Sequence, residues 1–180
     1  MLEQTDSWRA TLAQVRRYED SVRTGPLTLA AKRLGRTRGF AALYRRIGPV
    51  VDPRLAPIAD GRLMATVYGF PMLMLNTVGA KSGQPRTSPL LYARDADDVL
   101  LLGTNFGQPK HPGWTANLLA YPEAQIDIGP HTLNVTATPV NGPEWDELFP
   151  RFVDIYPGYE NYLARRGNLP PRMFRLVPHL

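Results

Sequence analysis

The residues most able to bind a ligand lie in the glycine-containing stretch 77–90, TVGAKSGQPRTSPL. It places Lys81, Ser82 and Arg86 close together around two glycines, between two segments with the composition of β-strands. Glycine permits positive φ angles and leaves backbone N–H groups exposed, so two cations and a hydroxyl around such a turn can bind an anion. The same pattern also fits a hairpin turn whose charges only aid solubility. Both interpretations stay open on this segment alone.

A second stretch, 104–114, combines a polar loop with the start of a helix. A strand is predicted to end at Thr104, and Pro112 stands where the first residue of a helix would be. Free N–H groups at that helix N-terminus, together with Lys110, would stabilise a phosphate. Trp114 fits an ordinary core position, whereas an inward-facing Asn117 needs hydrogen-bonding partners.

A third stretch carries three tyrosines at intervals of three residues, with a proline after the first: Tyr156, Tyr159 and Tyr162, here called the tyrosine triad. Their hydroxyls could donate hydrogen bonds to a substrate oxygen while the rings form an apolar wall. Ordinary packing against a barrel is the competing interpretation.

The remaining residues exclude several classes of enzyme. The chain has no cysteine, which rules out disulfides, thiolate metal sites and a cysteine nucleophile, and which suits a reducing compartment. His111, His131 and His179 do not have the spacing of metal ligands, and His111, just before a proline, is interpreted as a loop residue rather than a base. We therefore predict no metal site, and an enzyme whose cofactor carries out the bond-making step.

From residue 70 onward, short apolar runs alternate with glycine and proline turn signals, which favours a mainly β protein with helices, built as a small barrel. Six strands are predicted, at 72–77, 87–94, 99–104, 125–128, 132–140 and 173–177. Two helical inserts are predicted, one from Pro112 to Ala120 and one from Pro143 to Arg166, the second broken at Pro150 and Pro157. No glycine-rich strand-to-helix turn supports a Rossmann fold.

The first third of the chain differs in charge from the rest. Residues 1–60 hold 11 Lys/Arg against 6 Asp/Glu, whereas residues 61–180 hold 10 of each. We interpret residues 1–60 as a basic helical extension and 61–180 as the barrel domain. Helices are predicted from Asp6 or Ser7 to Gly25 and around Phe40 to Ile47, followed by a linker over 52–61.

The basic extension is interpreted first as a solvated helical face and second as a peripheral contact with an anionic membrane surface. Nucleic-acid binding is disfavoured. No segment resembles a signal peptide or an apolar run of the roughly 20 residues that a membrane span needs, so a cytoplasmic location is expected, with peripheral association at the inner membrane face as its variant.

Taken in order, the three chemical stretches resemble the deazaflavin-dependent nitroreductase and quinone reductase family. The first matches at the residues Thr77, Gly79, Lys81, Ser82, Gly83, Arg86, Pro89 and Leu90. The second matches at Pro112, Trp114, Asn117 and Leu118, and the third at the tyrosine triad with Pro157. Two positions depart from the pattern: Phe106 stands where a small residue is usual, and Thr115 where an aromatic is common.

The resemblance implies a split β-barrel of the FMN-binding type that binds coenzyme F420, an 8-hydroxy-5-deazaflavin with a phosphate and an oligoglutamate tail. It implies hydride transfer from the reduced ring to a quinone, a nitroaromatic or a similar small-molecule acceptor. Homodimers are common among such barrels. Lys81, Ser82, Arg86 and Lys110 would hold the phosphate and tail, and the triad would bound the acceptor pocket and donate a hydrogen bond. The ring or its ribityl chain would lie against Thr87, Ser88, Pro89, Leu90, Leu91, Thr104, Asn105, Phe106 and Gly107, and Pro112, Trp114 and Asn117 would also bind the cofactor.

Three alternatives remain beside this assignment. The nearest is a flavoprotein of the same barrel type that uses FMN, whose single phosphate needs fewer cations. The second is a carrier that binds the deazaflavin without catalysis. The third is a membrane-surface or nucleic-acid module driven by the basic extension.

Overall fold

The structure, a computed structural model, describes residues 2–24, 70–167 and 169–179, with side chains described from residue 9 to 21 in the first range. Six antiparallel strands close into a barrel in the order β1-β2-β3-β6-β5-β4. The strands are β1 (Met72–Val78), β2 (Pro85–Asp95), β3 (Asp98–Gly103), β4 (Glu123–Ile128), β5 (His131–Val140) and β6 (Arg172–His179). All six were predicted from sequence, and the mainly β barrel is confirmed.

Alternation along the strands builds the barrel interior. In β1, every second residue from Leu73 to Thr77 is buried, and β5 follows the same period of two. The inward side chains form one apolar core that includes Leu101, Ile126 and Phe174, each almost fully buried. Burial of each such side chain contributes about 1.5–3 kcal/mol, so the barrel is held chiefly by this core.

A second apolar cluster covers one outer face of the barrel. It joins Leu100 and Met173 of the sheet to Phe152 and Tyr159 of two helices, α3 (Pro143–Ile155) and α4 (Gly158–Arg166). The predicted break at Pro157 is confirmed, because Tyr156 takes the extended conformation that a following proline favours. The predicted break at Pro150 is wrong: α3 runs through this exposed proline, which removes only one helical N–H.

The helix α1 (Leu2–Thr24) packs directly on the barrel. It starts before the predicted Asp6 or Ser7 and ends before Gly25, as predicted. Leu12 and Val15 are buried in the barrel core, and the Glu19 carboxylate accepts hydrogen bonds from Tyr92 and from Arg94, the latter at 2.8 Å. α1 is therefore continuous with the core through both apolar and charged contacts.

Two other predictions for the first third fall outside the described residues: the helix around Phe40 to Ile47 and the linker over 52–61. The division of the chain at residue 60 stays a prediction. No helix in the described part of the chain has the length and hydropathy needed to span a membrane.

Strands β2 and β3 diverge, and this opens the barrel on one side. β2 pairs with β1 from Pro85 to Leu91, but with β3 only from Tyr92 to Asp95. Beyond Leu101, β3 continues along β6 and leads into the β3–α2 loop (104–111) and the helix α2 (Gly113–Ala120). Within the described strands, the second edge of β2 from Pro85 to Leu91 therefore has no partner.

Candidate functional site

The turn between β1 and β2, residues 79–84 (the β1–β2 turn), is tight and internally hydrogen-bonded. The N–H of Gly79 donates to the carbonyl of Gln84 at 2.8 Å, and that of Gly83 donates to the carbonyl of Gly79 at 2.8 Å. Gly83 has φ 64°, a left-handed conformation that favours glycine. A Cβ on Gly79 would lie 2.6 Å from the Ser82 Oγ. The turn therefore requires glycine at position 83, and at position 79 a side chain would have to displace the Ser82 hydroxyl.

Asn117 braces this turn from the side of α2. Its Nδ2 donates to the Thr77 Oγ1 at 3.0 Å, and its Oδ1 accepts from the N–H of Ala80 at 2.9 Å. The partners that the sequence required for this amide are thus in the turn itself. The geometry is that of a residue that positions the β1–β2 turn.

The cations of the predicted coenzyme site form no ion pairs with the described carboxylates. Lys81, Arg86 and Lys110 are exposed, and in the described part of the chain none pairs with a carboxylate. Elsewhere arginines are compensated: Arg175 contacts three carboxylates and Arg94 contacts Glu19. These three charges are therefore uncompensated by ion pairs with described residues: Lys81 in the β1–β2 turn, Arg86 on β2 and Lys110 in the β3–α2 loop.

Backbone strain is concentrated in the β3–α2 loop. Asn105 and Phe106 adopt φ angles of 48° and 55°, which residues other than glycine rarely take. Gly107, at φ 80°, is buried against α4, where a Cβ would lie 3.3 Å from the Tyr162 backbone. The Phe106 ring is 70% exposed, so the departure from a small residue places an aromatic surface in solvent at this loop.

Arg166 organises the same loop, and none of the sequence motifs identified it. Its side chain is 3% exposed, and its guanidinium donates to backbone carbonyls of the loop, among them those of Thr104 at 2.8 Å and Gln108 at 2.7 Å. The available signal was helical spacing, because Tyr159, Tyr162 and Arg166 fall on one side of α4.

His111 ends the loop beside this arginine. Its Nδ1 lies 3.3 Å from the Arg166 Nη2, and because a guanidinium only donates, Nδ1 must accept and the proton must sit on Nε2. Burial, with the charges of Arg172 and Arg166, lowers the pKa of His111 below its usual value. The structure thus holds a neutral imidazole here.

The helix α2 packs its first turn into the barrel. Trp114 is 6% exposed with its ring centroid 5.7 Å from that of Phe174, which is a core position. Thr115 is fully buried, and its Cγ2 would lie 2.7 Å from a Cβ on Gly103. An aromatic at position 115 would not fit this close approach. Pro112 precedes the helix as its extended N-terminal flank.

The predicted ring-contacting residues of β2 line its free edge. Thr87 is exposed and donates to the Asn76 Oδ1 at 2.7 Å, and the four residues that follow are partly buried. Leu90 contacts the barrel core and Leu91 the outer cluster, so these two neighbouring side chains lie on opposite faces of β2. A groove of about 490 Å³ on the β4 side also includes Arg86 and Thr87.

The tyrosine triad forms a compact aromatic cluster. Its ring centroids are 5.7, 6.0 and 5.9 Å apart, in edge-to-face or tilted arrangements. Tyr159 is 5% exposed, whereas Tyr156 and Tyr162 are partly exposed. Burial raises the pKa of Tyr159, and burial together with a hydrogen bond to Tyr156 raises that of Tyr162, so both phenols stay protonated. The Tyr156 ring lies over Gly158, where a Cβ would meet it at 2.3 Å.

Two sets of contacts connect the three stretches to the helices that carry or flank them. Asn117 connects the β1–β2 turn to α2, and Gly107 and Arg166 connect the β3–α2 loop to α4. No cluster of potential metal ligands occurs among the described residues.

Comparison with known proteins identifies the family. A family model described as F420H(2)-dependent quinone reductase matches residues 55–172. The chain belongs to this family. An F420H(2)-dependent quinone reductase of Mycobacterium tuberculosis strain H37Rv is 40% identical over 122 residues, which are 66% of this chain and 78% of the relative.

Two solved structures extend the comparison. An F420-H2 dependent reductase is 30% identical with a TM-score of 0.55, covering 59% of this chain and 94% of the other. A second structure, described as a domain-swapped dimer, is 27% identical with a TM-score of 0.55, covering 72% of this chain and 98% of the other. The predicted split barrel and the predicted family are confirmed. The matched segment of this F420H(2)-dependent quinone reductase family member contains the turn, the loop and the triad.

Proposed function

We propose that this protein is an oxidoreductase that passes a hydride from reduced coenzyme F420 to an organic acceptor, with quinones as the first acceptor class and nitroaromatics as the second. The observation that carries the proposal is a set of exposed cations without ion pairs in a member of this family: Lys81 in the β1–β2 turn, Arg86 on β2 and Lys110 in the β3–α2 loop. A ligand with a phosphate and several carboxylates needs such clustered, uncompensated positive charge. When bound, the reduced deazaflavin ring supplies the hydride from its C5.

The coenzyme's anionic groups are assigned to the three cations Lys81, Arg86 and Lys110, here called the cationic rim. Lys81 and Arg86 bind the phosphate and tail with Ser82, and Lys110 adds charge from the opposite side of the opening. The ring and ribityl chain lie between the β2 edge and the β3–α2 loop, against the sequence-predicted residues Thr87, Ser88, Pro89, Leu90, Leu91, Thr104, Asn105, Phe106 and Gly107. Asn117 and Trp114 of α2 position this surface. Asn117 hydrogen-bonds to Ala80 and Thr77, and Trp114 packs against Phe174 in the barrel core.

The tyrosine triad is assigned to the acceptor side. Reduction of a quinone builds negative charge on its oxygen, and a positioned phenol that donates a hydrogen bond lowers that barrier. Tyrosine phenols are protonated at neutral pH, and burial raises the pKa of Tyr159 and Tyr162 further, so both can act as donors there. Tyr156 and Tyr162 are the better candidates for direct contact, because Tyr159 is almost fully buried.

Titration with coenzyme F420 and with FMN, followed by turnover assays on quinones and nitroaromatics, tests the proposal. We expect F420 to bind more tightly than FMN and the reduced form to be oxidised by a quinone. Tight FMN binding without F420 binding would favour the FMN flavoprotein. F420 binding without turnover on any acceptor would favour the non-catalytic carrier.

Two assemblies belong to the same proposal. The dimeric relative suggests a homodimer, which sedimentation of the purified protein tests. The basic extension suggests peripheral contact with an anionic membrane, since 11 cations lie in residues 1–60. Co-sedimentation with vesicles that contain anionic lipid, compared with neutral vesicles at the same ionic strength, tests that contact.

A further inference from the structure

We propose that Arg166 is a positioning residue that holds the β3–α2 loop in the shape that binds the coenzyme and sets the loop's distance from the tyrosine triad. This inference rests on the proposed function. It concerns a residue that acts through the loop backbone, including the carbonyls of the predicted coenzyme residues Thr104 and Lys110.

The hydrogen bonds of Arg166 gather the loop around one side chain. Nη1 donates to the carbonyls of Thr104 at 2.8 Å, Gln108 at 2.7 Å and Lys110 at 3.1 Å. Nε donates to the carbonyl of Leu169 at 3.0 Å, which ties the segment after α4 to the same point. One guanidinium therefore fixes both ends and the middle of the loop.

The buried positive charge of Arg166 is compensated in an unusual way. A buried cation commonly pairs with a carboxylate, yet in the described residues Arg166 has none and depends on carbonyl dipoles. Its position in the last turn of α4 adds the negative end of the helix dipole. Three loop carbonyls converge on Nη1, while Nε and Nη2 reach Leu169 and His111; a lysine has a single nitrogen on its side chain and cannot occupy all three donor positions at once. The residue is consequently specific to this geometry.

The same side chain links the loop to the acceptor side. Arg166 lies one turn after Tyr162 on α4, and Gly107 of the loop packs against Tyr162. The strained Asn105 and Phe106 lie between the clamped carbonyls of Thr104 and Gln108. Without the clamp, we expect these two residues to relax out of their left-handed conformations. The loop and the triad would then no longer be held in one relative position.

The test compares R166K with the matched control R151K. Arg151 is an exposed arginine on α3 that also donates to a backbone carbonyl, at 3.2 Å from that of Arg94. Three quantities are measured for each variant: the Kd for oxidised coenzyme F420 by fluorescence, the single-turnover rate with a quinone at saturating reduced coenzyme, and the thermal midpoint. For R166K we expect the Kd to rise about tenfold or more, with the saturated rate changed much less. For R151K we expect both to match the wild type.

Hydrogen exchange provides a readout that needs no coenzyme. The amides of Gly107, Gln108 and Lys110 are bonded within the loop, and we expect them to be protected in the coenzyme-free wild type and to lose protection in R166K. If R166K does not fold, the wild-type measurement decides: exchange of these amides at unprotected rates overturns the inference.

The outcomes separate this inference from the proposed function. An R166K variant with a lower thermal midpoint but unchanged Kd and unchanged loop exchange would make Arg166 merely structural and overturn the inference alone. A wild type that does not bind F420 would overturn the proposed function, and the coenzyme role of Arg166 with it, even if the loop amides are protected.

Discussion

The brace between Asn117 and the β1–β2 turn gives the sharpest quantitative prediction. The N117A variant removes two hydrogen bonds, one of 3.0 Å to Thr77 and one of 2.9 Å from the N–H of Ala80. Each net bond contributes about 0.5–1.5 kcal/mol, so N117A should lower the free energy of unfolding by about 1–3 kcal/mol. T77V removes the first of these bonds, together with the long 3.4 Å bond from the Thr77 hydroxyl to the Arg86 carbonyl, and it should cost about 1–2 kcal/mol.

The effect on coenzyme binding follows from the same contacts. In N117A the turn loses its attachment to α2, and Lys81 is no longer held in place beside it. If ordering the turn on binding then costs about 1 kcal/mol, the Kd for F420 rises about fivefold. T77V keeps the bond from Ala80 and should leave the Kd close to that of the wild type.

Chemical denaturation and fluorescence titration with oxidised F420 measure the two effects in the wild type, both single variants and the double variant. Because both residues share one hydrogen bond, the double variant should be less destabilised than the sum of the single changes. The reasoning is refuted if N117A lowers stability as expected but binds F420 as tightly as T77V does. It is also refuted if the two changes are strictly additive.

Further predictions concern the cations, the triad and His111. K81A and R86A should each weaken F420 binding by about 1–3 kcal/mol with little change in stability, and titrations at two salt concentrations should show a shallower salt dependence for each variant; unaltered affinity in both would remove the cationic rim from the site. Phenylalanine at each triad position should lower turnover at unchanged coenzyme affinity, most strongly for the residue that donates to the acceptor; normal turnover in all three variants would contradict the donor role. As the pH falls below about 6.5, the unfolded chain takes up a proton at His111 that the folded chain resists, so the wild type should lose stability relative to H111Q, measured by denaturation between pH 7 and 5. Parallel curves would mean that His111 is not held neutral.

Local signals in the sequence were sufficient for the barrel. Alternation in β1 and β5 and the turn residues between strands located every strand, because side-chain period and turn chemistry are properties of short segments. The expected run through 143–166 was divided correctly at Pro157, where the preceding residue must be extended. At Pro150 the packing of Leu148 and Phe152 outweighed the local preference, which sequence spacing alone does not reveal.

The site was predictable in its motifs but not in its supports. Glycines and cations marked the β1–β2 turn, and the need of Asn117 for partners was evident, yet the identity of those partners depends on how α2 docks. Arg166 was missed because an arginine at the end of a polar helix normally lies in solvent. Its burial follows from carbonyls of Thr104 and Gln108, about 60 residues earlier in the chain, which only the tertiary fold brings near it.

The packing of α1 on the barrel also has a consequence for folding during translation. Leu12 and Val15 leave the ribosome long before β5, one of the strands that α1 contacts, and the sheet cannot close until β6 follows. At about 5–20 residues per second, the apolar side of α1 waits roughly 5–20 s for its partner. During that interval the nascent helix offers an apolar stripe to chaperones, and slower translation of the segment before β5 should increase its capture by them.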